Sequence, residues 1–290
     1  MCIVKLILIL SLLFSSGAWA KWSVSTYNIR NFDKDTQAGK TNLVELGKIL
    51  QTVKSDVMAF VEVVNEKAFD ELIKKELPGY EYVISSCGGF GKQKLAVAYN
   101  AKSFIYVRHE EDLGFSGDGS KCGSLRPLFL VTLKKQDTKE LYIFGVAHLK
   151  AGGTEASFSQ RWKQYKKLGV VAEAHSSKNL ILLGDLNTTG YSIQDKDHAM
   201  FIDFLASNKL TTNSEELACT SYWAGTSGSA EYQPSILDHI VVQEHIAADV
   251  HEVKLGAHCE KVNCAPATPE ELGVSFKSVS DHCPIQVSFK

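Results

Sequence analysis

The sequence predicts an α/β fold, a four-layer sandwich in which two mixed β-sheets pack face to face and carry helices on their outer sides. Strand-like and helix-like segments alternate along the chain, and runs of consecutive strands interrupt this alternation. Helical crossovers combined with hairpins are typical of layered domains with mixed sheets. No repeat, low-complexity run or long linker divides the chain, so we expect a single domain over residues 21–290.

The first half of the chain is predicted to begin with a strand and to continue with helices and strands in turn. A strand over residues 22–29 precedes an amphipathic helix over residues 41–54, whose first residue, a threonine, is the expected N-cap. A short apolar strand over residues 57–61 and a second helix near residues 66–77 follow, and a Pro-Gly pair ends that helix. Five consecutive strands are then predicted, over residues 80–84, 95–99, 104–107, 128–133 and 141–147.

The second half of the chain predicts two helices and three strands. The longer helix spans roughly residues 155–175, and it leads into a strand over residues 179–183. A helix near residues 197–207 precedes a strand around residues 236–242. At the C-terminus, apolar residues at every second position over residues 283–289 predict a strand with one buried face.

Composition and charge narrow the class of protein. A hydrophobic fraction of 44% and a charged fraction of 22% are typical of a soluble globular protein. The net charge of -2 excludes a broadly basic nucleic-acid coat. A polyanionic substrate would therefore need a local basic patch or a metal ion.

The first twenty residues have the pattern of a secretory signal peptide. Lys5 is their only charged residue, residues 6–14 form an apolar run, and residues 18–20 (AWA) fit a small-x-small cleavage site. We therefore expect a signal peptide over residues 1–20 and a mature protein that is secreted or periplasmic. An uncleaved N-terminal anchor is the alternative.

Cysteine usage agrees with export. Signal cleavage removes Cys2 and leaves six cysteines, namely Cys87, Cys122, Cys219, Cys259, Cys264 and Cys283. An even number in an exported chain suggests disulfides, and six cysteines allow fifteen pairings. Cys259 and Cys264 bracket a short loop and form the pair that closes most easily, whereas Cys283 could remain a buried thiol. The lack of any Cys-x-x-Cys pair disfavours a zinc site.

Polar side chains gather at the ends of the predicted strands. Five stand at or after strand ends and two Asp-His pairs open the last two strands: Asn28, Glu62, His148, Asp185, Asn187, Asp238-His239 and Asp281-His282. Each alone is typical of a solvated loop or a turn. Several strand ends meet at one rim of a layered fold, where crowded carboxylates would repel one another unless a cation joined them. Oxygen ligands suit magnesium, manganese or calcium, and neighbouring histidines can transfer protons near neutral pH.

The segments that carry these residues also show a family resemblance. In the same order, they resemble motifs of the endonuclease/exonuclease/phosphatase superfamily: TYNIRNF, AFVEVVN, FGVAHLKAGG, ILLGDLNTTG, SILDHI and SVSDHCPI. The resemblance spans residues 22–290, and the combination of GDLNT with SDHCP is its most specific feature. The chain is most similar to secreted deoxyribonucleases of the pancreatic deoxyribonuclease type and their bacterial relatives.

The resemblance implies a role for each polar residue. Glu62 would be the main ligand of a divalent metal, with Asn28 and Asp281 beside it. Magnesium or manganese is the expected metal, with calcium as a further candidate. His282 would be the general base that takes a proton from the attacking water, and Asp238 would fix the tautomer of its imidazole.

The same resemblance assigns residues to the phosphate. Asp185 and Asn187 would position the attacking water and the scissile phosphate, and His148 would help the leaving oxygen depart. Arg126 matches the phosphate-contacting arginine of the family. Tyr191 is a second candidate for contact with the phosphate, and a tyrosine on a surface loop is the alternative.

Two positions depart from the family pattern. Gln93 stands where related enzymes often carry a glutamate that pairs with the histidine matching His148. A glutamine can orient an imidazole, but it cannot stabilise the protonated form by charge. His239 stands where relatives often have an aromatic residue or an arginine, and we expect it to be a neighbour in the strand rather than a catalytic group.

The superfamily cleaves several kinds of phosphoester, and the sequence favours DNA, with RNA as a further candidate. Export suits the degradation of environmental DNA, and no long aromatic hairpin for membrane insertion is evident. A basic run follows the strand that ends near residue 147, and a solvated helix face is its alternative explanation. This run consists of Lys150, Arg161, Lys163, Lys166 and Lys167. Trp223 is a candidate for stacking on a base or a sugar, with a buried core position as the alternative.

We therefore expect a monomeric, non-specific DNA endonuclease without stable membrane association. A phosphodiesterase or phosphatase that acts on a lipid or inositol phosphate is a second hypothesis. A catalytically silent binding protein of the same fold is the third, although every acid, amide and histidine of the family pattern is present.

Overall fold

Two mixed six-stranded sheets form the centre of the fold, as the alternation of apolar residues along the strands predicts. The structure is a computed structural model that describes residues 22–34, 39–116, 122–212, 214–225 and 229–290. The expected signal peptide over residues 1–20 lies outside the described residues, so it stays a prediction.

The strands fall into two large sheets and one small ribbon. In chain order they are β1 (Trp22–Phe32), β2 (Val57–Val63), β3 (Tyr80–Ile84), β4 (Lys94–Asn100), β5 (Phe104–Asp112), β6 (Leu128–Lys135), β7 (Leu141–His148), β8 (Asn179–Asp185), β9 (Leu210–Thr212), β10 (Ser221–Trp223), β11 (Gln233–Ser235), β12 (Asp238–Gln243), β13 (Val250–Leu255) and β14 (Ile285–Phe289). The first sheet has the order β13-β14-β1-β2-β4-β3, and the second has the order β5-β6-β7-β8-β12-β9. Strands β10 and β11 form the separate ribbon.

The described residues contain eight α-helices. They are α1 (Leu43–Thr52), α2 (Glu66–Glu76), α3 (Glu155–Ala174), α4 (Lys196–Ser207), α5 (Glu244–Ala247), α6 (Ala257–Lys261), α7 (Pro269–Leu272) and α8 (Val274–Ser278). The apolar stripes of α1 and α2 pack on the first sheet, and those of α3 and α4 pack on the second. A third apolar cluster, which includes Val24, Val61, Phe144 and Ile181, fills the space between the sheets. The predicted four-layer sandwich is confirmed.

Each sheet contains one parallel pair, and these pairs decide where the loops meet. Strands β1 and β2 are parallel, with α1 between them in the chain, and β7 and β8 are parallel, with α3 between them. Parallel neighbours end at the same rim of a sheet. Gly184 permits the close approach of β8 to β7, because a Cβ at this position would lie 2.0 Å from the carbonyl oxygen of Ala147 and its φ is +133°.

The start of α1 differs by one residue from the expectation. Asn42 is the N-cap, and its side chain accepts a hydrogen bond from Glu45 N at 3.1 Å. Thr41 instead accepts a hydrogen bond from Asp33 N at 2.9 Å through its hydroxyl group. The prediction that Thr41 caps this helix is therefore wrong, since the asparagine next to it reaches the first turn.

Three disulfides join the six cysteines, and they differ from the expected pairing. The bonds are Cys87–Cys122, Cys219–Cys264 and Cys259–Cys283. Cys259 and Cys264 are close in sequence, but each bonds to a different neighbouring segment, so the predicted loop closure between them is wrong. The interpretation of Cys283 as a free thiol is also wrong.

The described residues were also searched for a helix that could cross a bilayer. None of their helices is both long and apolar enough to do so.

Candidate active site

One rim of the second sheet carries three polar side chains in a row. His148 ends β7 and Asp185 ends β8, and the two are register partners in this parallel pair. Asp238 begins β12 and pairs with Asp185 from the antiparallel side. All three residues are buried. The row forms because parallel strands end at one rim, where an antiparallel neighbour begins.

The facing rim of the first sheet is irregular, and the irregularity positions Asn28 and Glu62. The pairing of β1 with β2 shifts register between Asn28 and Phe32, and the pairing of β2 with β4 shifts between Phe60 and Val63. Glu62 lies within β2 and has a left-handed φ of 68°. A β-bulge of this kind changes the direction of a side chain relative to the regular alternation.

Asn28 joins the two rims through its amide group. Its Nδ2 donates to Glu62 Oε1 at 3.2 Å and to Asp185 Oδ2 at 3.0 Å. Arg30 N donates to Asn28 Oδ1 at 2.9 Å, which fixes the orientation of the amide. Asn31 N donates to Glu62 Oε2 at 2.7 Å. Two buried carboxylates are therefore held close together between the sheets.

His282 and Asp238 form a hydrogen-bonded pair. His282 Nδ1 lies 2.8 Å from Asp238 Oδ2, and because an ionised carboxylate can only accept, we assign a proton to Nδ1. His282 Nε2 lies 3.5 Å from Asn28 Nδ2 and 3.8 Å from Asp185 Oδ2. Ser280 fixes the backbone, because its hydroxyl donates to Asn28 O at 2.7 Å and accepts from His282 N at 3.1 Å.

His148 approaches the same carboxylates from the second sheet. Its Nε2 lies 3.4 Å from Asp185 Oδ2 and 3.7 Å from Glu62 Oε1. Arg126 holds this segment by its backbone, since Nε donates to His148 O at 3.2 Å and Nη2 donates to Leu149 O at 2.7 Å. The buried guanidinium thus supports the strand end that carries His148.

Gln93 does not pair with His148. Its Nε2 donates to Asn31 Oδ1 at 3.0 Å, whereas Nδ1 of His148 has no hydrogen-bond partner among the described residues. Among the described residues, Gln93 therefore does not orient this imidazole. Gln93 instead steadies the segment whose backbone N–H binds Glu62.

Asn187 connects the loops that follow β7 and β8. Its backbone N donates to Asp185 Oδ1 at 2.9 Å, and its Nδ2 donates to Leu149 O at 3.1 Å. Its φ of 51° is left-handed, a conformation that asparagine adopts more readily than most residues. The structure therefore places Asn187 beside Asp185, as the sequence predicts.

Two candidate residues lie outside the hydrogen-bonded group. Tyr191 is 7% exposed, packs edge-on against His198 and has a buried hydroxyl oxygen. The alternative of a surface-loop tyrosine is wrong, because the ring packs in the core under α4, and contact of Tyr191 with the phosphate stays a prediction. Asp281 lies at the mouth of the site, where its side chain is 40% exposed and 4.0 Å from Arg30 Nε.

His239 is buried, as expected for a neighbour in the strand. Its Nε2 lies 2.7 Å from the hydroxyl oxygen of Thr188, and that hydroxyl donates to Ile236 O at 2.6 Å. Burial lowers the pKa of His239 to about 3, so the residue is neutral near pH 7. A neutral imidazole that donates to Thr188 supports the loop next to Asn187.

Burial and neighbouring charges shift the pKa values of the clustered groups in opposite directions. Burial alone would lower the pKa of His282, but the carboxylates of Asp238 and Asp185 outweigh it and raise the pKa well above 6.5. Burial, Arg126 and His282 lower the pKa of His148 well below its ordinary value. Burial, with a further contribution from Asp238, raises the pKa of Asp185 to about 7.

The donor set fits a divalent cation. Glu62 and Asp185 share the amide of Asn28, Asp281 stands at the mouth, and the ligand atoms of Asp185, Asp238 and His282 lie within 4.8 Å of one another. His282 Nδ1 is already bound by Asp238, so the carboxylates are the better ligands. Crowded oxygen donors of this type favour magnesium, manganese or calcium.

The predicted basic run does not form one surface. Arg161 is 1% exposed and forms an ion pair of 2.5 Å with Asp197, so it braces the fold. Lys166 lies over the ring of Trp162, and Lys167 donates to Gly114 O. These contacts agree better with the alternative of a helix face than with a DNA-binding patch.

Trp223 is exposed, in contrast to the alternative of a buried core position. Its side chain on β10 is 53% exposed. The adjacent Tyr222 N donates to Asp281 O at 2.9 Å, which places this ribbon next to the segment that carries His282.

Sequence reasoning missed two groups that hold the site together. Ser280 joins Asn28 to His282, and Thr220 binds the backbone of Asp238. Ser280 has a local signal, because it stands directly before the Asp-His pair. Thr220 has none, because it is distant in sequence from the residue that it holds.

Comparisons with known proteins bear on the family and on the fold. The model described as "Endonuclease/Exonuclease/phosphatase family" matches residues 25–282. Among solved structures, TDP2 from D. rerio complexed with single strand DNA product is 17% identical, covering 93% of this chain and 99% of that chain with a TM-score of 0.64. The mannosyl-6-phosphatase Bt3783 from Bacteroides thetaiotaomicron is 19% identical, covering 92% and 98% with a TM-score of 0.60.

The human Nocturnin catalytic domain with bound sulfate is 14% identical, covering 93% of this chain and 94% of that chain with a TM-score of 0.61. Identities this low show a shared fold and leave the substrate open. A search of the curated proteins found no match.

Proposed function

The chain belongs to the endonuclease/exonuclease/phosphatase family, and from this premise we propose that it is a secreted, divalent-metal-dependent phosphodiesterase that cleaves the DNA backbone without sequence preference. The observation that carries the proposal is the Asp238–His282 pair. Nε2 of His282 faces the Asn28 amide and the carboxylate of Asp185, next to the buried Glu62.

His282 is the proposed general base. With its proton on Nδ1 and bound to Asp238, its Nε2 carries a lone pair that can accept a proton from water. The carboxylate of Asp238 stabilises the imidazolium that results. The water oxygen then forms the new bond to phosphorus while the bond to the leaving oxygen breaks.

The remaining residues position the phosphate and the leaving group. Asp185 and Asn187, joined by a 2.9 Å hydrogen bond, would orient the water and a phosphate oxygen. His148 is neutral near pH 7 because its pKa is depressed, so it acts by donating a hydrogen bond toward the leaving side. Arg126 would contribute positive charge from beneath the phosphate while it holds the backbone of His148.

Glu62, with Asn28 and Asp281, would hold the metal. A bound divalent ion polarises the phosphate and neutralises the charge that develops in the transition state. Magnesium or manganese is the proposed ion, because these cations prefer the carboxylate oxygens that Glu62 and Asp281 offer. Asn28 would ligate the ion through Oδ1, which here accepts from Arg30 N. Asp281, whose side chain is 40% exposed, would supply a carboxylate oxygen to the ion from the mouth of the site.

DNA is the proposed substrate, with RNA as a further candidate. A protein of the same fold, TDP2 from D. rerio, is described in complex with single strand DNA product. The exposed Trp223 beside the site offers an aromatic face for a base. Resemblance to the pancreatic type of deoxyribonuclease supports endonuclease action and the absence of sequence preference.

Export is the proposed destination of the mature protein. The three disulfides and the signal-like residues 1–20 support a secreted or periplasmic location. We also propose that residues 21–290 act as one monomeric domain without stable membrane association.

A substrate panel tests the function. Purified mature protein is given closed circular plasmid, RNA, sphingomyelin and an inositol polyphosphate, each with magnesium, with manganese and with EDTA. We expect cleavage of the plasmid with either metal and none in EDTA. Turnover of the lipid or inositol substrate with intact plasmid would replace the nuclease assignment, and inactivity on all four would favour a silent binding protein.

Matched histidine variants identify the base. His282→Ala should abolish cleavage, whereas His245→Ala should leave it unchanged, because His245 is exposed on α5, at the other end of β12. Equal activity of the two variants would remove His282 from the mechanism. Full activity in EDTA would refute the assignment of Glu62 as a metal ligand.

A further inference from the structure

Thr220 lies at a junction that connects both members of the Asp238–His282 pair, and it is fully buried. Its hydroxyl oxygen accepts hydrogen bonds from Leu237 N at 2.9 Å and from Asp238 N at 3.0 Å. Its carbonyl oxygen accepts from Cys283 N at 2.8 Å, directly after His282. Thr220 therefore binds the backbone of Asp238 through its side chain. It binds the backbone directly after His282 through its own carbonyl group.

Two disulfides flank this junction. Cys219 precedes Thr220 and is bonded to Cys264, and Cys283 follows His282 and is bonded to Cys259. The two partner cysteines belong to one short segment, since Cys264 N donates to Cys259 O at 3.0 Å. The segment over residues 259–264 is therefore covalently bonded to both of the segments that carry Thr220 and His282.

The pairing of these two segments also aligns their side chains. Ser221 and His282 are partners in an antiparallel bridge, with Tyr222 N donating to Asp281 O at 2.9 Å. Directly opposite residues in such a bridge share one face. A shift of the segment that contains Thr220 and Ser221 relative to this bridge would therefore move His282 relative to Asp238.

We propose that Thr220 is a positioning residue for the Asp238–His282 pair, and that the disulfides Cys219–Cys264 and Cys259–Cys283 hold it in that role. The inference rests on the proposed hydrolytic function of His282. Its physical basis is that two N–H groups at the start of β12 have one common acceptor, the Thr220 hydroxyl. Removing this acceptor leaves both donors without a partner and releases the segment that sets the direction of Asp238.

Thr220→Val tests the proposal because it removes the hydroxyl and keeps the shape. We expect kcat to fall about 10²-fold with little change in KM, since a displacement of about 1 Å in a catalytic group has this cost. Thr220→Ser, which keeps the acceptor oxygen, should retain most of the wild-type kcat. Equal kcat values for Thr220→Val and the wild type would overturn the proposal.

Thr212→Val is the matched control. Thr212 is also a buried threonine next to β12, and its hydroxyl donates to Ile240 O at 3.0 Å and accepts from Ser214 N at 3.2 Å. It pairs with Val241, away from the catalytic rim. Its replacement should lower the stability without lowering kcat. An equal loss of kcat in both variants would show a general packing effect and refute a specific role for Thr220.

A double-mutant cycle separates positioning from general loss of structure. If Thr220 acts through the acid, Thr220→Val should lower kcat much less in an Asp238→Asn background than in the wild type. Equal fold-losses in both backgrounds would contradict the proposal.

A measurement without turnover separates this inference from the proposed function. In the wild type, the proton on Nδ1 of His282 should give a low-field NMR signal, which the Thr220→Val variant should lose or shift and Thr220→Ser should keep. Failure of the nuclease assay with this NMR pattern intact would refute the function and leave the positioning role standing. An unchanged signal in Thr220→Val would refute the positioning role.

The disulfides are tested in the same way. Replacing Cys219 and Cys264 together with alanine should lower kcat with KM retained, because the residue next to Thr220 is no longer fixed. A wild-type kcat in this variant would show that the Cys219–Cys264 disulfide is not needed to position Thr220, and it would overturn that part of the proposal.

Discussion

Replacing Arg161 with methionine removes a buried cation from the loops beneath the candidate active site. Its guanidinium, 1% exposed, donates from Nη1 to the carbonyl oxygens of Lys150 and Gly152, each at 2.7 Å. Its Nη2 donates to Asp197 Oδ2 at 2.5 Å and to Thr189 Oγ1 at 3.1 Å. Arg161 thus joins the loop that follows His148 to the loop that follows Asn187.

The expected cost follows from what the substitution leaves behind. Asp197 would stay buried with its charge unpaired, and breaking a buried ion pair by removing one partner costs about 3–5 kcal/mol. The two carbonyl groups add less, because the loop around Gly152 is exposed and water can replace the lost donor. We therefore expect Arg161→Met to lower the free energy of unfolding by about 3–5 kcal/mol, a large part of the roughly 5–15 kcal/mol of a typical domain.

Urea unfolding followed by circular dichroism measures this loss. The double variant Arg161→Met with Asp197→Leu should recover most of it, because no buried charge is then left unpaired. A loss below about 1 kcal/mol for Arg161→Met would refute the reasoning, since this is the range of ordinary surface substitutions. A double variant less stable than the single one would contradict the electrostatic part of the argument.

Three further predictions concern catalysis, binding and pH. Asp238→Asn should lower kcat by up to about 10⁴-fold, and a loss below about tenfold in a plasmid assay would contradict its role. Trp223→Ala should weaken binding of a single-stranded oligonucleotide in EDTA by about 1–3 kcal/mol, and Trp223→Phe should not, as fluorescence titration can show. The pKa of His239 is lowered from 6.5 to about 3, so its contribution to stability is present above about pH 6.5 and is lost as the pH falls toward 3. Urea unfolding between pH 7 and pH 4 should show a steeper loss for the wild type than for His239→Gln, and parallel curves would refute this.

The strands and long helices could be predicted because their apolar residues repeat with a regular period. Strand β3 has the predicted bounds, and α3 ends one residue before its predicted end. Short elements carried no such signal, and the ribbon of β10 and β11, strand β13 and helices α5 to α8 were missed. Three to six residues are too few to show a period, and their positions depend on contacts with distant segments.

The site residues could be predicted as types at strand ends, but their geometry could not. Nothing local indicated that β2 continues to Val63 through a bulge, so Glu62 was expected after the strand rather than within it. The sequence pattern places Arg161 in a basic surface because its partner Asp197 lies 36 residues away. The burial of Tyr191 has no local signal either, since its packing partners come from α4 and β12.

The active-site geometry depends on how the two sheets are spaced. Asn28 and Glu62 belong to the first sheet, whereas Asp185 and Asp238 belong to the second, and His282 lies just before β14 of the first. Two hydrogen bonds that cross the gap, from Asn28 to Asp185 at 3.0 Å and from His282 to Asp238 at 2.8 Å, also define the surroundings of the proposed base. The apolar cluster between the sheets sets their separation, and protein interiors are packed too densely for it to change freely. The proposed catalysis therefore depends on an apolar core that never touches the substrate, because that core fixes the distance between His282 and the carboxylate of Asp238 that orients it.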